Sequence, residues 1–146
     1  MKRLGLLIGL LLVLPCLAHA GHTNNTLIPN TTLNDITTAV SGTALIGDAE
    51  RAAFFVSYDE TDAGAQESVA VTVLVSYDGV TYQSASFYDY AGGSTLQTSE
   101  TLSADANYYF WFNHDLVVPF VKVTLTATGS DATHTAIVNC FMVTTQ

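Results

Sequence analysis

The sequence predicts an all-β fold: an antiparallel β-sandwich, jelly-roll-like, with about eight strands, behind an N-terminal signal peptide. Three observations carry this. Apolar residues recur at every second position in several strand-length segments, the period of a half-buried strand. No segment shows the period of an amphipathic helix. Breaker clusters punctuate the chain at roughly even spacing: Ser41-Gly42, Gly47-Asp48, Asp62-Ala63-Gly64, Gly92-Gly93, Asp105-Ala106-Asn107 and Gly129-Ser130-Asp131.

The chain opens with Lys2 and Arg3, an apolar run from residue 4, Pro15, and Ala18-His19-Ala20. That is the layout of a secretory signal with an A-x-A cleavage site. The apolar run is about 14 residues long, short of the roughly 20 a spanning helix needs. The expected organisation is therefore residues 1–20 as signal peptide, 21–34 as a flexible or extended N-terminal arm, and 35–146 as the sandwich. The arm is Asn- and Thr-rich, contains Pro29 and has no period.

The strands follow from alternation. Val69, Val71, Val73, Val75 and Tyr77 share one face, and Ala70, Thr72, Leu74 and Ser76 the other. Asp78-Gly79 then predicts a tight hairpin into Val80-Thr81-Tyr82, because both residues tolerate positive φ. Val121, Val123, Leu125 and Ala127 form a second stripe, with Pro119 at the strand start where a missing donor is harmless. Ala136, Val138, Cys140 and Met142 form a third. Weaker patterns predict strands over 36–40, 52–58, 84–90, 94–102 and 108–113.

Cleavage would remove Cys16, leaving Cys140 without an intramolecular partner and best read as a buried thiol. It would also remove Lys2 and Arg3, two of the four Lys and Arg residues, taking the net charge from −9 to −11. Such a surface disfavours nucleic acid and anionic membranes, both polyanions. Localisation is expected to be extracellular or periplasmic.

Three groups of residues attract functional readings. In 107–113, Tyr108, Phe110 and Phe112 point one way and Tyr109 and Trp111 the other. One face must fill the core. The second is either buried against another sheet or forms an aromatic platform for sugar rings, with Tyr82, Tyr88 or Tyr90 nearby. Asp59, Glu60 and Asp62, with Glu67 beyond, form an acidic loop able to supply oxygens to Ca²⁺, the one cofactor considered. Cleavage after Gly21 would leave His22 N-terminal, where amine and imidazole chelate copper with His114 or His134 near Asp131. Neither G-x-S-x-G nor H-E-x-x-H occurs, so no catalytic residue is assigned and the chain is expected not to be an enzyme.

Two segments carry a resemblance: AERAAFFVSYDETDAGAQESVAVTVLVSYDGVTYQ over 49–83 and VVPFVKVTLTAT over 117–128. A strand, then Ser76, Asp78, Gly79 and Tyr82, then Phe120, Val121 and Val123, is similar to small β-sandwich modules of phage virion decoration and fibre proteins. It also resembles galactose-binding-like carbohydrate-binding domains. The resemblance implies the sandwich fold and transfers no binding residue.

The expected function is an exported, non-enzymatic structural or adhesive subunit of a surface or extracellular assembly. Its partners would be further copies of itself or a surface glycan. A carbohydrate-binding module, a decoration- or fibre-like protein and a Ca²⁺- or copper-binding periplasmic protein are the alternatives.

Overall fold

Two valine-rich stripes that alternate in sequence lie side by side on one sheet and face a third apolar stripe across one core. The structure is a computed structural model and describes residues 21–34, 38–47, 49, 51–61, 68–89, 95–112, 118–129 and 134–145. The segment read as a signal peptide lies outside these.

Eleven strands run in order: β1 (His22–Leu33), β2 (Ala39–Leu45), β3 (Arg51–Glu60), β4 (Ser68–Ser76), β5 (Gln83–Ser84), β6 (Phe87–Asp89), β7 (Leu96–Gln97), β8 (Ser99–Leu102), β9 (Ala106–Phe112), β10 (Phe120–Thr128) and β11 (Ala136–Thr145). They form a six-stranded sheet, β1-β11-β3-β9-β6-β7, and a five-stranded sheet, β2-β10-β4-β5, with β8 also on β4. Every pairing is antiparallel. With the three shortest elements set aside, the sheets read β1-β11-β3-β9 and β2-β10-β4-β8, and consecutive strands alternate between sheets except β4 and β8, which pair within one. That is the jelly-roll connectivity of a β-sandwich.

The stripes behave as alternation demands. Val69, Val71, Val73, Val121, Val123 and Leu125 are buried from one sheet, and Ala136, Val138, Cys140 and Met142 from the other. The six-stranded sheet adds Phe54, Val56, Tyr58, Phe87, Phe110 and Phe112. Phe54 stacks on Phe110 at 5.0 Å and meets Phe87 edge-on at 5.7 Å. Burial of each such ring is worth about 1.5–3 kcal/mol, and each ring pair adds about 0.5–1.5 kcal/mol. Burial also pushes the Cys140 thiol up to about 12, so it stays protonated and inert.

The arm expected over 21–34 is instead strand β1, paired with β11 from His22↔Thr145 to Leu33↔Ala136. Leu27, Ile28 and Leu33 enter the core. Two register shifts, at Thr26/Ile28 and Ile28/Thr31, let neighbouring Leu27 and Ile28 both turn inward. Pro29 is tolerated because β1 is an edge strand. Where β1 passes β2, Gly42 lies under Leu27, and a Cβ at that position would collide with the Leu27 carbonyl. Ser41-Gly42, read as a breaker, is therefore strand interior, a glycine required by close backbone approach.

Two further expectations shift. The predicted strands 84–90 and 94–102 are each divided, because the chain changes sheets within them. β5 pairs with β4 while β6 pairs with β9, and β7 pairs with β6 while β8 pairs with β4. The hairpin after β4 exists, but Val80-Thr81-Tyr82 is turn and β5 begins only at Gln83. Ser76 is buried and donates to Asp78 at 2.8 Å, and the same Asp78 oxygen accepts from the Val80 and Thr81 amides at 2.9 and 2.8 Å. Gly79 takes φ 74°. The carboxylate organises a wider turn than a two-residue loop.

Two outcomes test this description. Gly42→Ala is expected to lower unfolding stability in urea by about 1–3 kcal/mol, an overpacking cost; an unchanged midpoint would contradict the β1–β2 contact. The Thr81 and Val80 amides and the Ser76 hydroxyl hold Asp78 down from 3.8 to about 2. A depressed carboxylate stabilises the fold above its unfolded value and loses that effect as pH falls through the folded one. The stability gap between wild type and Asp78→Asn is thus expected to be full at neutral pH. It should close between about pH 4 and pH 2, as read by denaturant midpoints at the two ends.

Candidate functional site: an aromatic sheet face

The register that buries Phe54 and Phe110 leaves their chain neighbours on the outer side of the same sheet. β3 and β9 pair with Phe54 opposite Phe110 and Phe55 opposite Tyr109. β11 places Phe141 opposite Phe55. Directly opposed residues share a face, so Phe141, Phe55 and Tyr109 form one row across three strands. Phe55 and Tyr109 rings sit 4.7 Å apart.

A second row lies two residues along. Asn24, Val143, Ala53, Trp111, Tyr88 and Leu96 are successive partners across all six strands. Trp111 meets the Tyr88 ring edge-on at 5.7 Å. Trp111 is 40% exposed, Phe55 39%, Phe141 45% and Leu96 49%. Large apolar groups normally avoid this degree of exposure in contiguous patches unless the surface binds something.

Polar residues bound the two rows. On one side Asn139 lies opposite Ser57, and Ser57 opposite Asn107; Asn139 donates to Asn30 at 2.8 Å. On the other side His22, Thr145 and Arg51 are successive partners. Ala53 is the only small side chain between Val143 and Trp111 in its row, and the dip there opens a groove of about 230 Å³ reaching His22 and Arg51.

The sequence candidates separate accordingly. Tyr109 and Trp111 are together on this face. Tyr88 joins them, and Tyr90 lies outside the described residues. Tyr82 does not join them: its ring packs under the Lys122 ammonium, 5.5 Å from the centroid, on the outer side of the five-stranded sheet. Phe55 and Phe141 were missed, because only strand pairing reveals that they adjoin Tyr109.

Of the acidic candidates, only Asp59 and Glu60 are among the described residues. Asp59 and Glu60 are neighbours in β3, and successive strand residues point to opposite faces. Asp62 lies outside the described residues. Among the described residues no three His, Cys, Asp or Glu side chains are grouped to hold a metal ion. The copper arrangement through His134 also comes apart. His22 pairs with Thr145 at one end of the β1–β11 ladder, while His134 precedes Ala136 at the other, about 30 Å away at strand rise. His114 and Asp131 are outside the described residues.

No family model matches the chain, and no curated protein matches it. Solved structures do. The SPBc2 prophage-derived protein YomS matches with a TM-score of 0.62 and 14% identity over 86% of this chain and 94% of that one. The CBM36-1 domain of a multidomain xylanase from the hindgut metagenome of Trinervitermes trinervoides matches with a TM-score of 0.41 and 9% identity, over 84% of this chain and 96% of that one. A prophage-derived protein is thus among the fold neighbours of this sandwich. The first shows a shared fold. The second, at its TM-score, carries no weight for fold or ligand.

Proposed function

We propose that the protein is an exported, non-enzymatic adhesive module that binds glycan through the outer face of its six-stranded sheet. The supporting observation is the exposed aromatic face of Trp111, Phe55, Tyr109, Phe141 and Tyr88. A pyranose ring presents a face of C–H groups that stacks on indole, phenyl and phenol rings. Its hydroxyls need hydrogen-bonding groups alongside, and Asn107, Asn139 and Ser57 border the rings. A rigid strand pair holds the platform, which limits the ordering cost of binding.

The choice of glycan over self-assembly rests on β1. Residues 22–33 would be the segment exchanged between subunits, and they already pair with β11 of their own chain. The edge that β1 presents carries Pro29 and two register shifts, devices that blunt strand addition. A structural, decoration-like role would use the same fold but leaves the aromatic face without a purpose. Export is the part of the proposal that rests on the N-terminal sequence alone.

Trp111→Ala is expected to abolish or weaken glycan-array binding by at least tenfold, about 1.4 kcal/mol. Stability should fall by no more than about 1.5 kcal/mol, the worth of its ring contact with Tyr88. Binding that survives both Trp111→Ala and Phe55→Ala would refute the platform. So would a wild-type protein that binds no glycan on the array.

A further inference from the structure

We propose that the groove beside Trp111 selects an acidic sugar within a polysaccharide chain, a uronate, with Arg51 as the carboxylate-binding residue. This rests on the glycan reading above and names its ligand class.

The first argument is charge. The chain carries 13 Asp and Glu against 4 Lys and Arg. Only Arg51 and Lys122 follow the N-terminal Lys2 and Arg3. Lys122 lies on the other sheet over Tyr82. Arg51 lines the groove, and among the described residues no carboxylate lines it with Arg51. On the same face of β3 the next acidic side chain is Asp59, eight residues on. That is about 27 Å at strand rise, well beyond the Debye length of about 8 Å at physiological salt. Among the described residues Arg51 is thus the one Lys or Arg on the aromatic face, in a chain whose charge is strongly negative. A guanidinium offers paired N–H donors that match a carboxylate's two oxygens.

The second argument is geometry. Arg51 is two residues from Ala53, and Ala53 is opposite Trp111. Such diagonal neighbours sit about 7–8 Å apart. A sugar ring stacked on the indole spans that interval when a carboxylate projects from its edge toward Arg51. His22 and Thr145 complete the groove's polar wall and can meet the ring hydroxyls. Ala53 and Val143 keep its floor low and apolar.

The third argument is length. The row from Asn24 through Trp111 to Leu96 crosses six strands, about 24 Å at the interstrand spacing. A face this long suits several successive sugars lying across it. A uronate carries its carboxylate on an in-chain ring, as this layout requires, whereas a chain-terminal acidic sugar would leave most of the row unused.

The test is titration of the purified protein with a cello-oligosaccharide carrying one in-chain glucuronate, its methyl ester and the neutral cello-oligosaccharide. Trp111 is the one tryptophan of the chain, so indole fluorescence reads the groove directly; calorimetry serves for variants. The glucuronate-bearing chain is expected to change the fluorescence saturably and to bind about tenfold or more tightly than its ester. Arg51→Gln should bring the acid down to the ester's level while leaving the ester unaffected, with Arg51→Lys between.

Equal affinity for acid and ester, or an acid preference that survives Arg51→Gln, would overturn the proposal. Displacement by dextran sulfate as readily as by the glucuronate-bearing chain would also overturn it, by showing attraction to any polyanion. If neutral sugars bind at Trp111 without acid preference, the glycan reading stands and this inference falls. If no saccharide perturbs the indole and light scattering shows a second copy on the face, both fall. Should Arg51→Gln fail to fold, the acid-to-ester comparison on the wild type decides alone.

Discussion

Everything in the six-stranded sheet depends on the register between β3 and β9. Phe54 opposite Phe110 aligns two rings in the core, and Phe112 and Phe87 close around them. The same register sets Phe55 opposite Tyr109 and Ala53 opposite Trp111 on the outside. Because side chains alternate with period two, a slip of one residue would exchange the two sets. A slip of β9 would bury Trp111 and Tyr109 and expose Phe110 and Phe112. Core and platform are therefore one choice, made by one pairing. Burying four phenylalanines against valines and leucines of the facing sheet enforces that choice with several kcal/mol.

The two sheets divide the work. The five-stranded sheet supplies slim aliphatic residues inward, Val69, Val71, Val73, Val121, Val123 and Leu125. The six-stranded sheet supplies the bulk, in rings. β1 completes the sandwich at an edge, where Leu27 and Ile28 turn inward together over Gly42. Extra strands β6 and β7 widen the ring-bearing sheet by two positions, adding Tyr88 and Leu96 to the outer row. The widening comes from the connection between β4 and β8, which crosses between sheets twice.

Much of this was legible before any coordinates. The Val69, Val121 and Ala136 stripes are strands with the predicted faces inward, because strict alternation has one reading in a half-buried strand; the first stops short, since β4 ends at buried Ser76 and Tyr77 is exposed. The sandwich class follows from their number and spacing, while the order of the strands within the two sheets does not. β1 was illegible for a physical reason: a bulge puts Leu27 and Ile28 into the core side by side, so no period survives in the sequence. Gly42 looked like punctuation because its role, close approach to Leu27, is made by a residue far along the chain. The hairpin was placed correctly and its length was not, since one carboxylate, Asp78, reorganises the turn. In the site, the alternation of Tyr109 and Trp111 against Phe110 and Phe112 was readable, but Phe55, Phe141 and Arg51 join them only through cross-strand pairing. Tyr82 was grouped with the platform on residue type, and the sandwich sends it to the opposite sheet.

An outward ring face bounded by amides on one side and by Arg51 on the other is the functional consequence of that pairing. Its central requirement is that the Trp111 indole meets solvent in the native protein. Collisional quenching by acrylamide tests this directly, because no other tryptophan contributes. Native emission quenched almost as efficiently as that of the urea-unfolded chain is the expected result. Emission shielded from acrylamide until the protein unfolds would contradict the account, since it would place Trp111 inside the fold or beneath a second subunit.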